Sequence, residues 1–81
     1  MVNKTRSVAM IFNNIRWGND ILTRRLELKL TQEDISKLTG ISTTAISQYE
    51  TGVEDNPKLS FYLVMCNVYD LDPREYFELE R

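Results

Sequence analysis

The side chains of this sequence that could do chemistry are hydrogen-bonding groups rather than catalytic ones. Behind Ser42 runs Thr43-Thr44-Ala45-Ile46-Ser47-Gln48, in which three hydroxyls and a carboxamide can donate and accept without carrying charge. The usual catalytic and metal-binding chemistries lack their residues. There is no histidine among the 81 residues, which removes imidazole bases, Ser/His and Cys/His nucleophile pairs and the commonest metal ligand. The single cysteine, Cys66, excludes an intrachain disulfide and any multi-cysteine zinc or iron–sulfur site. Three glycines cannot build a glycine-rich phosphate loop. Asp and Glu pairs exist, but they fall at helix starts or on solvated faces with no partner chemistry. The expectation is therefore no enzyme, no metal and no cofactor.

Groups of this kind act only if something rigid holds them, and the surrounding residues read as a helical support. Thr31-Gln32-Glu33-Asp34 is a helix start: a Thr able to cap the third N–H, an acid at that third position, and negative charge against the positive helix end. That helix should run to about residue 37 or 38 and end at Gly40. Ser42 caps the next, from Thr43 to Glu50, which Gly52 stops. Two short helices separated by a turn around a glycine make a helix-turn-helix, here about residues 31–50. Asn56-Pro57 should open another helix running to about Tyr69, with Asn as cap and Pro at the first helical position. Asp72-Pro73-Arg74-Glu75 repeats that start, predicting a last helix to about Leu79. Upstream, Val8, Ile11, Phe12 and Ile15 suggest a short helix over 7–16 opened by Ser7. Ile21, Leu22, Leu26 and Leu28 lie on a second amphipathic stretch over about 17–29. Gly18 either separates these two or lies inside one longer helix. With no alternating strand pattern and no repeats, the predicted class is all-α.

Composition fits one small domain, 42% apolar and 27% charged. The net charge of −2 hides a gradient. Residues 1–49 carry seven bases against four acids, and residues 50–81 three bases against eight acids, so the first half is the one suited to a polyanion. No run of 18 apolar residues exists, so no membrane span is expected. Lys4, Arg6 and the apolar 8–12 loosely suggest a signal peptide, but Asn13, Asn14 and Arg16 interrupt it, and a cytoplasmic location is expected.

Taken without gaps, Gly18-Asn19-Asp20-Ile21, Arg25, Leu30-Thr31-Gln32-Glu33-Asp34-Ile35-Ser36-Lys37, Gly40-Ile41-Ser42-Thr43-Thr44-Ala45-Ile46-Ser47-Gln48-Tyr49-Glu50-Thr51-Gly52 and Pro57 resemble the Cro/CI-type (XRE) DNA-binding domain of phage and bacterial repressors. The similarity continues through Leu63, Cys66, Tyr69, Leu71-Asp72-Pro73 and Tyr76-Phe77, and covers about residues 17–78. It implies a compact five-helix, lambda-repressor-like domain over 17–81, preceded by an N-terminal helical extension over 1–16. Physically, Ile35, Ile41, Ile46 and Tyr49 must point inward to fix the crossing of two short helices, each buried branched side chain contributing roughly 1.5–3 kcal/mol. Ser36 must be small where the second helix passes. The opposite face, Thr43, Thr44, Ser47 and Gln48, would then lie outward, shaped for a major groove about 12 Å wide.

The resemblance implies roles for single residues. Gln32, first in the supporting helix, matches a DNA-contacting position. Thr43 and Thr44 match the main base-reading positions, where a hydroxyl can meet base or phosphate and a methyl thymine; Gln48 could pair with adenine, and Ser47 reach base or phosphate. Thr51 and Lys58 match backbone-phosphate contacts. Arg25 and Glu50 match a structural salt bridge between the first and third helices of the domain. Tyr49, Leu63, Tyr69, Leu71 and Phe77 are expected in the core, and Cys66 as an inert buried thiol.

This sequence also departs from the family. The second helix of the motif carries no Lys or Arg, and the loop after it reads Val53-Glu54-Asp55. Phosphate neutralisation would rest on Arg16, Arg24, Lys37, Lys58, Lys4 and Arg6, so weak monomer binding and a shallow salt dependence are expected. Two copies on a palindrome would restore affinity, which makes a homodimer the expected form. Its contact is expected on the 7–16 extension, where Ile11, Phe12 and Trp17 would otherwise be exposed, or on the last helix with Tyr76, Phe77 and Leu79. The expected partner is double-stranded DNA. A second reading keeps the scaffold but makes it an antitoxin- or antirepressor-like protein-interaction module. No ligand-sensing segment follows residue 81, so control is expected from expression level, oligomerisation or a regulatory protein partner.

Overall fold

The local signals around residues 31–52 and the folded chain agree closely. The computed structural model describes residues 9–80. In chain order it contains β1 (Ala9–Phe12), α1 (Asn14–Glu27), α2 (Gln32–Thr39), α3 (Thr43–Thr51), α4 (Leu59–Val68), a 3₁₀ turn (Pro73–Tyr76) and β2 (Phe77–Glu80). At the start of α2 the Thr31 hydroxyl accepts the Asp34 N–H at 3.0 Å, and the Thr31 N–H donates to the Asp34 carboxylate at 2.8 Å. Those bonds hold the Asp34 carboxyl below the usual carboxylate range. Gly40 ends α2 and Gly52 ends α3, each at φ +79°, a left-handed conformation that glycine adopts without steric cost.

α1 is one continuous helix capped by Asn13, whose side chain accepts the Arg16 N–H at 3.0 Å. Gly18 lies inside it because α1 crosses α3 there with backbones almost touching. A Cβ at this position would collide with the Tyr49 carbonyl and sit 3.2 Å from that of Glu50. The core gathers around this crossing. Trp17, Ile21, Ile35, Ile46 and Met65 are completely buried, and Ile41, Tyr49, Tyr62, Cys66, Tyr69 and Tyr76 nearly so. Burial pushes the Cys66 thiol up, partly opposed by its neighbours Trp17 and Tyr62.

Four expectations are corrected. First, residues 9–12 form a strand, not a helix; Ser7 and Val8 lie outside the described residues, as do Lys4 and Arg6. The helix start belongs to Asn13, and the residues before it pair with the other end of the chain. Second, Asp72-Pro73 opens only a single 3₁₀ turn, the Asp72 carboxylate accepting the Arg74 N–H at 2.9 Å. Phe77-Glu78-Leu79-Glu80 then alternates apolar and acidic residues, the period of a strand, and pairs antiparallel with β1: Phe12 with Phe77, Met10 with Leu79. Among the described residues the domain is thus mostly helical, with four helices and a two-stranded ribbon rather than five helices and no sheet. Third, α4 begins at Leu59 instead of Pro57. The Glu54 carboxylate takes the Asn56 N–H at 2.9 Å, and the first helical bond runs from the Tyr62 N–H to the Lys58 carbonyl at 2.9 Å. Fourth, Leu63 lies on the outer side of α4, exposed.

The ribbon is joined to the body at its base. The Asn13 N–H donates to the Tyr76 carbonyl at 2.7 Å. Phe12 packs its ring against Trp17, Tyr62 and Phe77 with centroids 5.7, 5.2 and 5.1 Å away. The Tyr62 hydroxyl donates to the Pro73 carbonyl, and the Tyr76 hydroxyl donates to Asp20 at 2.7 Å. Trp17 and Phe12 therefore belong to the core rather than to an uncovered extension; Met10, Ile11 and Leu79 stay exposed.

Candidate nucleic-acid interface

α3 has two faces with different tasks. Its inner side is Ile46, Tyr49 and Glu50, all buried. Its outer side carries Thr44 and Gln48 exposed, with Thr43 and Ser47 half-buried. The Ser42 hydroxyl accepts the Ala45 N–H at 3.1 Å, which leaves the Thr43 and Thr44 amides at the helix start without intrahelical acceptors. Across from them stands Gln32, at the first position of α2. Gln32, Thr43, Thr44, Ser47 and Gln48 line one shallow, open concavity. Five of the seven residues named for DNA contact are thereby brought together, without a formal charge among them.

Thr51 and Lys58 lie outside that concavity. The Thr51 hydroxyl donates back to the Ser47 carbonyl at 2.9 Å, a bond within its own helix. Lys58 precedes α4 with its ammonium 5.2 Å from the centre of the Phe61 ring. The arginines named for phosphate neutralisation have protein partners. Arg16 donates to the Glu75 carbonyl at 3.0 Å, lies 3.7 Å from the Glu75 carboxylate and sits over the Tyr76 ring. Arg24 lies 3.8 Å from Glu27. Both pairs are exposed, so they hold these side chains only weakly.

What fixes α3 is a bidentate ion pair. Arg25 on α1 donates from Nε and Nη2 to the two Glu50 oxygens at 2.7 and 2.9 Å, and from Nη1 to the Leu30 carbonyl at 2.9 Å. The Glu50 side chain is only 3% exposed. Its carboxylate raises the proton affinity of the guanidinium, against the opposing effect of burial. Burial together with the nearby Glu50 charge pushes the Tyr69 hydroxyl up to about 12.

Two contacts at this site had no sequence signal. The Gln32 Nε2 donates to Glu50 at 3.0 Å, which ties the concavity to the ion pair behind it. The Asn14 side chain donates to the Gly52 carbonyl at 2.8 Å, which fastens the start of α1 to the end of α3. Both join residues far apart in sequence, and neither asparagine nor glutamine announces its partner. Among the described residues no cluster of His, Cys, Asp or Glu is placed to hold a metal ion, and no helix is long and apolar enough to cross a membrane.

Two capped helices crossing at a fixed angle, the second turning an uncharged polar edge outward, define a helix-turn-helix DNA-binding regulator. A helix-turn-helix family model matches residues 21–76, well over half of the chain, and the chain belongs to that family, of the XRE type. Among solved structures it is similar to the restriction-modification controller protein C.AhdI from Aeromonas hydrophila, with 26% identity and a TM-score of 0.66 over 79% of this chain and 96% of that one. No curated protein sequence matches the chain.

Proposed function

We propose that this protein is a sequence-specific regulator of transcription that binds double-stranded DNA as a homodimer and acts as a repressor at a palindromic operator. The observation that carries the reading is the concavity formed by Gln32, Thr43, Thr44, Ser47 and Gln48 at the adjoining starts of α2 and α3. A helix laid with its N-terminal end in the major groove brings hydroxyls and carboxamides to base edges, and free helix-start amides to phosphate. The similarity to a restriction-modification controller supports a regulatory role. Gln32 and the residues of α3 would make the base and nearest phosphate contacts, with Thr51, Lys58 and Lys37 touching the backbone outside. Homodimerisation would place two α3 helices about 34 Å apart on one face of the duplex. The exposed Met10, Ile11 and Leu79 of the ribbon are the surface offered for it. A cytoplasmic location follows from this role.

Selection from random-sequence duplexes at low salt tests the reading. The expected result is a two-fold symmetric consensus, lost on Thr43→Ala or Gln48→Ala, with a complex of two chains per duplex by light scattering. A strict monomer on DNA would refute the dimer. A second reading, a protein-interaction module on the same scaffold, is favoured by the uncharged outer face of α3 and by the paired Arg16 and Arg24. It predicts no enriched sequence and a co-purifying protein bound through α3.

A further inference from the structure

The ribbon leaves a row of backbone groups unpaired, and its register says which ones. The Asn13 N–H reaches the Tyr76 carbonyl at 2.7 Å, one step below the pairing of Phe12 with Phe77. Bonded and non-bonded pairs alternate along an antiparallel ladder. Ile11 and Glu78 are therefore a bonded pair, whereas Met10 and Phe12 turn their N–H and C=O groups away from β2. Among the described residues those four groups have no protein partner. By the same alternation Phe77 and Leu79 turn theirs outward on the far side of β2. A two-stranded ribbon is marginal by itself, and open edges are normally blunted by Lys, Pro, a bulge or a covering element. β1, Ala-Met-Ile-Phe, has no charge and no proline, and its Met10 and Ile11 are exposed.

Charge separates the two edges. A two-fold axis beside a strand pairs that strand with its own copy, antiparallel. Using all four outward groups of β1 sets Met10 against the partner's Phe12 and the reverse. That gives four hydrogen bonds, with Ile11 beside its counterpart on the axis. The same operation on β2 sets Glu78 beside its counterpart, like charges directly opposite, which is destabilising. We infer that two copies of this chain join along the free edge of β1 into one four-stranded sheet, ordered β2–β1–β1–β2. The inference rests on the homodimer of the proposed function and specifies its contact: backbone hydrogen bonds along an uncharged edge, which either chain supplies in equal measure.

The test uses the full chain without DNA, its dimer affinity measured by sedimentation over a concentration series. Met10→Pro removes one outward N–H from each chain. It spares the β1–β2 ladder, which does not use that donor, and proline is accepted at a strand edge. Dimer affinity should fall about 10- to 100-fold, the worth of two hydrogen bonds. Met10→Ala, which keeps the N–H, should cost less. Should Met10→Pro fail to fold, cross-linking decides. Across the axis the two Ile11 positions stand about 4.5 Å apart between Cα atoms, within disulfide reach. The two Glu78 positions, at opposite edges of the sheet, stand about 14 Å apart. Mild oxidation should therefore link Ile11→Cys chains in pairs and leave Glu78→Cys chains single; Cys66 is buried. A dimer that Glu78→Cys links and Ile11→Cys does not, or one that Met10→Pro leaves as tight as before, overturns the β1 edge and leaves the homodimer standing. A strict monomer overturns both. An Ile11→Cys chain that couples to a different protein and never to itself gives the edge to a foreign strand and overturns the second copy. None of these outcomes bears on DNA binding, which operator selection decides separately.

Discussion

The α2–α3 pair and the β1–β2 ribbon are the two smallest units of this domain, and they are held together in opposite ways. The helix pair is specified locally at each joint: a hydroxyl cap and left-handed glycine for each helix, with buried isoleucines at 35 in α2, 41 in the turn and 46 in α3. Its distant ties are hydrogen bonds of fixed geometry, two from Arg25 to Glu50 and one from Asn14 to the Gly52 carbonyl. The ribbon joins the two ends of the described chain by backbone pairing and one aromatic cluster at its base, and its far end is exposed. Two isolated strands are at best marginal in water, so the ribbon depends on the core, whereas the helix pair helps to build it. Rigidity is therefore concentrated under the face proposed to read DNA.

The widest gap between the two units should appear on cutting the helix-pair lock. Glu50→Ala leaves the Arg25 guanidinium buried without its acceptor and should cost about 3–5 kcal/mol, a large part of the 5–15 kcal/mol that roughly holds a domain folded. An unchanged thermal melt would falsify the lock. Next comes the phenol behind it. Tyr69 is almost fully buried, and its hydroxyl is raised from an ordinary 10.0 to about 12, so the fold favours the neutral form. The resulting stability, on the order of 2–3 kcal/mol, is whole below pH 10.0 and lost as pH climbs through about 12. Denaturant midpoints measured across that window should fall. Tyr69→Phe, which removes a hydroxyl without a partner, should shrink the fall without weakening the protein at neutral pH.

Gly18→Ala sets helix propensity against packing. Propensity alone predicts a gain of about 1 kcal/mol. The collision with the Tyr49 carbonyl predicts a loss of about 1–3 kcal/mol, since backbone cannot step aside as a flexible side chain would. A higher melting temperature for the alanine variant would show that the α1–α3 approach is looser than described. The smallest effect belongs to the ribbon's free end. Leu79→Ala removes a side chain that is 56% exposed and should change the stability of the monomer by less than about 0.5 kcal/mol. A loss of 2 kcal/mol or more, growing with protein concentration, would mean that Leu79 is covered by a second chain.

The same contrast explains what could be read from the residues alone. Thr31 with Asp34, Ser42 with Ala45 and the glycines at 40 and 52 act over three or four positions, within reach of pattern and propensity. The inward set at 35, 41, 46 and 49 follows from the same short spacings. The ribbon pairs Phe12 with Phe77 and Ala9 with Glu80, so neither strand signals the other. Local cues there pointed to helices: Ile11, Phe12 and Ile15 at helical spacing, and a cap at Asp72 that goes on to serve only one 3₁₀ turn. Within the interface, the grouping of Gln32 with the α3 side chains was legible from the motif. The bond from Gln32 to Glu50 was not, because it depends on how deeply the third helix sits against the second.

The lack of charge on the reading face bears on how such a protein would find its target. Cationic proteins linger on any duplex and slide along it, guided by phosphate attraction that is blind to sequence. A face of hydroxyls and amides gives a wrong site little to hold. Encounters would be brief, the search would proceed by repeated landings from solution rather than long scans, and occupancy would follow the copy number of the protein closely.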